Sequence, residues 1–432
     1  MRLSGWGNYP VIESQRLELD RQNRMQDYLA QGRKGICHAM GRSYGDSALA
    51  ETIFATNGLK YILAFDELHG RVRCQAGVTL SDLLAVFVPR GWFLPVTPGT
   101  RFVSVGGAIA SDVHGKNHHH DGCFSALVRS FKLLLPEGQL VECSQQLNSE
   151  LFRATCGGMG LTGVILEAEL QLRPIHSAYM EEVTRIASNL NHVLDLFDTH
   201  HDATYSVAWI DCMTRGRNMG RSLLMLGEHS RDGELELTRK KPRSVPFDIP
   251  GILLSRYSIA AFNELYYRRV RQDGLQRKVH YETYFYPLDG LLHWNRLYGR
   301  NGFVQYQFVI PKERGREGLH KIMEAIACSK RGSFLAVLKL LGEANDNLLS
   351  FPMTGYTLAL DFKMDDGLLP FLEKLDQLVL DFGGRLYLTK DARMSRMMFQ
   401  QGYPRWQTFV DIRQRLGAAD TFNSLQSQRL GI

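Results

Sequence analysis

Two glycine-rich stretches constrain this chain more than any other feature. They are Gly41-Arg42-Ser43-Tyr44-Gly45-Asp46-Ser47, and Pro98-Gly99-Thr100 leading into Val105-Gly106-Gly107-Ala108-Ile109-Ala110. Glycine is required where φ is positive or where a ligand would collide with a Cβ. Successive N–H groups in such turns point into one concavity and neutralise phosphate oxygens. One loop of this kind says little. Two of them, flanking a strand, a helix and a strand expected at 72–75, 81–88 and 92–96, imply one extended diphosphate ligand gripped from both sides.

Gly158-Met159-Gly160-Leu161-Thr162-Gly163 has the spacing of a dinucleotide fingerprint. That fingerprint follows a strand and opens a helix, because the pyrophosphate rests on the helix N-terminus. Here a helix is expected before it, at 151–156, and an alternating strand after it, at 164–172. The polarity is inverted, so tightly packed glycine turns are expected instead. The cluster His114, His118, His119, His120 contains Gly115 and Asn117, which oppose a helix, and no His-Glu-x-x-His is present. Surface or pocket histidines are expected there, not a metal site.

Composition removes further classes. No run approaches the roughly 18 apolar residues of a membrane span. The opening Met1-Arg2-Leu3-Ser4-Gly5-Trp6 lacks the apolar stretch of a secretory leader. The 7 cysteines are odd in number and have no Cys-x-x-Cys spacing, which favours reduced thiols and a cytoplasmic setting over disulfides or a zinc ribbon. A formal charge of +6 admits an anionic substrate or membrane surface but gives no reason to expect nucleic acid.

A strand–turn–strand is expected across 130–143, with Pro136-Glu137-Gly138 as the turn. Beyond Pro174, strands are expected at 205–210, 305–310 and 357–362, with helices at 316–327 and 369–382. Short mixed strands with few helices indicate an α+β fold, not a doubly wound one. The segment 239–281 differs, with the basic run Arg239-Lys240-Lys241 and then an aromatic helix expected over 252–267, followed by Arg268, Arg269 and Arg271. It is either a helix with a solvated basic face or a mobile flap resting on an anionic bilayer.

The order of these motifs resembles the FAD-binding domain of the vanillyl-alcohol-oxidase family. Within that family, His114-Gly115-Lys116-Asn117-His118, Trp294-Asn295-Arg296, Gln305-Tyr306-Gln307-Phe308, Phe351-Pro352 and Tyr387-x-x-Lys390-Asp391 are similar to the branch that oxidises polyprenylphosphoryl ribose at C2′. The resemblance runs from about residue 35 to the C-terminus. It implies an FAD-binding α+β domain over 1–178, a substrate domain on an antiparallel sheet over 179–384, and a C-terminal return over 385–432. It also implies FAD lined by Gly41, Arg42, Ser43, Tyr44, Gly45, Asp46, Ser47, Gly99, Ser104, Val105, Gly106, Gly107, Ser111, Asp112, Val113, His114, Ile165 and Tyr387. Many members attach FAD covalently through a histidine in the first loop. Tyr44 lies in that loop and no histidine does, so dissociable FAD is expected.

By the same resemblance, Lys116, Trp209, Gln305, Gln307, Lys339, Thr357, Ala359 and Lys390 surround the substrate, and His114, Lys116, Gln307, Lys390 and Tyr44 are the catalytic candidates. Oxidising a secondary alcohol moves hydride from carbon and builds negative charge at the acceptor, which a fixed cation stabilises. Lys390 is the candidate; a surface lysine paired with Asp391 is the alternative. Gln307 is either a pocket residue or a strand residue facing solvent. The sequence departs from the branch at Ala359, where relatives carry cysteine, and at Thr357, where they carry asparagine, so substrate orientation is open to difference. The expected activity is oxidation of a lipid-linked sugar phosphate, with a short-chain reductase completing epimerisation and peripheral contact with the membrane. A soluble alditol or aldonolactone oxidase, and a non-catalytic lipid-phosphate-binding relative, remain as alternatives.

Overall fold

The computed structural model describes residues 1–237, 242–249 and 255–432. The basic run Arg239-Lys240-Lys241 and the start of the helix expected over 252–267 lie outside them.

The first part of the chain is built on a three-stranded and a five-stranded sheet, beside two short two-stranded pairs. Strands Gln15–Glu18, Thr52–Ala55 and Ile36–His38 form a parallel three-stranded sheet. Five antiparallel strands follow in the spatial order Leu140–Cys143, Val128–Leu134, Val164–Gln171, Arg71–Gln75, Ile62–Asp66. The helix Leu80–Phe87 starts where Thr79 and Asp82 form a reciprocal capping box. The strand expected at 92–96 is cut to Trp92–Phe93. Pro95 and Pro98 supply no N–H to a ladder, which accounts for the early end.

The larger sheet has eight strands, every pair antiparallel, and its alternation sets up the site. Its order is Leu275–His280, Tyr179–Ala187, Ser222–His229, Tyr205–Ile210, Ala336–Leu341, Gly355–Lys363, Phe303–Pro311, Arg385–Leu386. Side chains of a strand alternate between faces. One face (Ala208, Ile210, Tyr306, Phe308, Leu338, Leu358, Leu360) packs in one core with the helices Leu190–Thr199, Lys312–Ser329 and Leu368–Asp381. The other face carries Val207, Trp209, Gln305, Gln307, Val337, Lys339 and Ala359, which line a cavity. These strands are therefore buried on both sides.

The segment 239–281 is ordinary secondary structure where described. Its helix, Arg256–Arg268, begins at a Ser255–Ser258 capping box, and Leu275–His280 forms the edge strand of the large sheet. The last helices return to the first part of the chain. The fully buried Arg413 donates to the carbonyls of Leu161 and Phe422, and Gly35 bridges to Phe422.

Candidate active site

A cavity of about 580 Å³ lies between the glycine loops and the open face of the large sheet. That is within the usual range for a small-molecule site, roughly 300–1,000 Å³. The first loop supplies Gly41, Arg42, Ser43, Tyr44, Gly45 and Ser47; the second supplies Gly99, Ser104, Gly106, Gly107, Ser111, Val113 and His114. Ile165 and Tyr387 complete this wall. Lys116, Trp209, Gln305, Gln307, Lys339, Ala359 and Lys390 line the rest.

Four expected contact residues stand behind the wall. Asp46 is buried in an ion pair with Arg429, and Val105 is in the core. Asp112 accepts from Ser125 N, Asn345 Nδ2, Asn347 Nδ2 and Ser350 Oγ, tying the second loop to residues 345–350. Thr357 supports Gln307 from below. Their expected places as contacts are corrected, because each carboxylate or hydroxyl is consumed by protein partners and Val105 by apolar packing.

The glycine loops fit a phosphate-bearing ligand. Among the described residues, the N–H groups of Gly41, Arg42, Ser43 and Gly45 have no protein acceptor. A Cβ on Gly99 would meet nothing within 4 Å, so the loop borders open space. Gly45 serves packing instead: a Cβ there would lie 1.8 Å from the Asp391 carbonyl oxygen. The inverted glycine loop does contribute, since Met159, Gly160 and Gly163 line the cavity although no helix starts there. Of the clustered histidines 114, 118, 119 and 120, only His114 lines the cavity, and no metal-holding group of three occurs among the described residues.

The hydrogen-bond chain fixes the His114 tautomer. Thr357 Oγ1 donates to Phe308 O at 2.8 Å, so toward Gln307 it can only accept. Gln307 Nε2 therefore faces it, at 3.2 Å, and the same nitrogen donates to His114 Nε2 at 3.2 Å. The proton then sits on Nδ1, which is buried without a partner among the described residues. Burial, with Lys339 and Lys390 nearby, holds this imidazole neutral, well below its ordinary pKa. His114 is a donor in this state.

Three half-buried lysines line the same cavity. Lys390 Nζ lies 3.8 Å from the Tyr44 ring centroid. Burial lowers its pKa to about 7, with Asp361 opposing and Lys339 assisting the shift. Burial, Lys339 and an opposing Glu182 bring Lys116 to about 7, and burial brings Lys339 to about 8. Lys116 donates to the Tyr284 carbonyl and sits over that ring, whereas Lys339 has no hydrogen-bond partner among the described residues. The alternatives of a surface lysine and a solvent-facing glutamine are overturned: Asp391 is paired with Arg429, and Gln307 is buried.

Sequence reasoning missed Asp361. It is fully buried beside Lys390, accepts from Gln305 Nε2 at 2.6 Å and Tyr298 Oη at 3.3 Å, and burial raises its pKa to about 7. A period-2 count would have found it, since it shares the cavity face with Thr357 and Ala359.

Comparison with known proteins agrees with this geometry. An FAD-binding-domain family model matches residues 20–144. The decaprenylphosphoryl-β-D-ribose oxidase of Mycolicibacterium smegmatis is 36% identical over 99% of this chain and 97% of its own. The L-gulono-1,4-lactone dehydrogenase of Mycobacterium tuberculosis is 21% identical over 98% of both chains, and the L-gulonolactone oxidase of Mus musculus 23% identical over 88% of this chain and 86% of its own. The chain is an FAD-dependent oxidoreductase of the vanillyl-alcohol-oxidase family, acting on CH–OH groups and belonging with the decaprenylphosphoryl-β-D-ribose oxidases.

Proposed function

We propose that this oxidoreductase converts C2′ of a polyprenylphosphoryl-β-D-ribose to the ketone, as the first half of an epimerisation that a short-chain reductase completes. The observation that carries the reading is Lys339. A half-buried ammonium with no hydrogen-bond partner among the described residues is costly unless its ligand brings an anion. Lys116 lies near enough to share that anion. On this reading residues 179–384 act as the substrate domain. FAD, when bound, supplies the hydride acceptor.

The protein groups then divide the work. The free N–H groups of Gly41, Arg42, Ser43 and Gly45 would hold the diphosphate of the cofactor. Gln307, fixed by Thr357, orients His114, whose Nδ1–H is offered to an oxygen of the bound ligands. Lys390 would offset the negative charge that an arriving hydride builds on the acceptor, and Asp361 helps to keep its ammonium charged. Tyr44 stays protonated, its pKa pushed well up by burial and by Asp361. Mixing the holoprotein with a prenylphosphoryl ribose under anaerobic conditions should bleach the visible flavin absorbance. Bleaching by gulonolactone or an alditol, and none by the phosphoryl ribose, would favour the soluble-substrate alternative.

With no histidine in the first loop, the cofactor is expected to be non-covalent. Acid precipitation should release free FAD into the supernatant; colour retained in the pellet contradicts this.

Peripheral membrane contact is part of the same proposal. No described helix is long and apolar enough to cross a membrane. The helix Arg256–Arg268 exposes Tyr257, Phe262 and Leu265 at 70%, 42% and 73% among basic residues. Such a surface binds anionic bilayers through combined apolar and electrostatic contact. Cosedimentation with anionic vesicles is expected, and raised salt should weaken it. Equal failure with anionic and neutral vesicles would leave the helix as a solvated surface.

A further inference from the structure

The diphosphate of FAD brings negative charge to the first glycine loop, yet the lysines and arginines of the cavity are committed elsewhere. Lys116 is bound to the Tyr284 carbonyl, Lys390 is beside Asp361, and Lys339 stands on the large sheet. Arg269 and Arg277 line the far end, near the edge strand of that sheet. Arg42 belongs to the loop itself, but its guanidinium lies 4.2 Å over the Trp6 ring, donates to Met40 O at 3.2 Å and is drawn toward Asp289. Two histidines besides His114 line the cavity. His293 is exposed, whereas His38 is buried beside the loop.

His38 is the last residue of the strand Ile36–His38, at the carboxyl end of the parallel sheet. Ligands of parallel sheets gather at that end, and Cys37, Ala39, Met40 and Thr56 line the cavity there too. His38 Nδ1 lies 2.9 Å from the Ala48 carbonyl, which can only accept, so the proton of the neutral ring is on Nδ1. Nε2 then carries the lone pair and has no protein partner among the described residues. Gly41 keeps this nitrogen uncovered. At its φ of +59°, a Cβ would lie 3.4 Å from Nε2, and a longer side chain would close it off. The open nitrogen is therefore next to the free N–H groups of the loop.

From this geometry we infer that His38 is a cofactor-binding residue: its Nε2 takes a proton from solvent as FAD arrives and donates it to a diphosphate oxygen beside Gly41. No bond of FAD is made or broken, and the inference does not depend on which sugar is oxidised. Without the cofactor, burial and Arg16 hold this imidazole below its ordinary pKa, with the Ala48 carbonyl opposing. The ionisable groups around it are already engaged. Arg16 is paired with Glu18, Arg42 is turned toward Asp289, and Asp46 is paired with Arg429. Burial pushes the neighbouring Cys37 thiol up to about 12, so it brings no charge. A phosphate is the anion this ring lacks. An opposite charge within about 4–6 Å raises such a pKa by about 1–3, which carries a histidine across neutrality. FAD is then held most tightly at low pH, and that part of its affinity is lost as pH rises through the raised pKa.

The test uses holoprotein with nitrogen-15 in its histidine rings. At neutral pH its NMR spectrum should contain one more imidazolium than that of His38→Asn, whose amide can keep the Ala48 bond, or of His38→Gln. The second readout is the release of fluorescent FAD on dilution. Release from the unmodified protein should quicken about tenfold from about pH 6 to 8 beyond any rise shown by the two variants, in which the cavity lysines still titrate. No imidazolium difference between the unmodified protein and the variants overturns the inference. So does an equal rise in release in all three proteins. A release rate that does not change with pH in the unmodified protein overturns it whether or not either variant folds. Flavin retained at every pH would instead show a covalent cofactor, and the ring signal then decides alone.

Discussion

Lys390→Met is expected to slow anaerobic cofactor reduction about 10²–10³-fold while leaving FAD bound. The estimate takes a lost oxyanion-hole donor as the nearest measured analogue. Methionine keeps bulk and an apolar stem over Tyr44 and removes only the cation. The interaction is needed mainly in the transition state, so the rate falls much further than cofactor affinity. A pH profile adds a second readout. Burial has brought Lys390 to about 7, so its ammonium is present below that pH and lost above it. Reduction should therefore decline as pH rises through neutrality. Asp361, raised to about 7 by burial, ionises over the same interval and supports the ammonium, so the two titrate as a pair. Asp361→Asn should move the decline to lower pH. Wild-type rates in Lys390→Met would remove Lys390 from the catalytic groups, and loss of FAD would make it a cofactor-binding residue.

Arg429→Met is expected to cost about 3–5 kcal/mol of stability, the usual penalty for stripping the partner from a buried charge. Arg429 lies 2.8 Å from Asp46 Oδ1 and 2.8 Å from Asp391 Oδ2, and also donates to the Met394 carbonyl. Without it, two buried carboxylates face each other. Asp46 already sits at about 6, because burial and Asp391 outweigh Arg429. Asp391 stays below its ordinary value: burial pushes it up, but Arg429, Arg393 and two backbone N–H donors outweigh that. In the variant the deficit should shrink as pH falls and Asp46, raised further without Arg429 to hold it down, takes up a proton that removes one of the two charges. Adding Asp46→Asn should recover part of the loss. Melting curves at two pH values decide it, and a pH-independent deficit would mean that lost packing is responsible.

The sequence made the two glycine loops, the main strands and the inverted polarity of the third loop readable, because turn chemistry and period-2 alternation are local. Strands 205–210, 305–310 and 357–362 were each recognisable within a few residues of Tyr205–Ile210, Phe303–Pro311 and Gly355–Lys363. What stayed hidden depends on partners far along the chain. Nothing near Asp46 or Asp112 announces Arg429 or the Asn345, Asn347 and Ser350 donors, so both aspartates read as ligand contacts when they are structural. Asp361 was passed over for the opposite reason. A lone acid in an apolar strand reads as a solvent-facing position until the cross-strand Gln305 and the nearby Lys390, from a turn far along the chain, are known.

The clamp of Arg429 on Asp46 and Asp391 also dictates an order of assembly at the ribosome. The loop of residues 41–47 emerges early, yet the carbonyl of Thr389 that Tyr44 N binds, and the guanidinium that Asp46 needs, emerge near the end. At about 5–20 residues per second, that interval lasts tens of seconds. Throughout it, the nascent chain carries an unpaired aspartate and an unsupported glycine loop. Cofactor capture is therefore a late event that waits for Thr389 and Arg429, and chains cut short before them should emerge colourless.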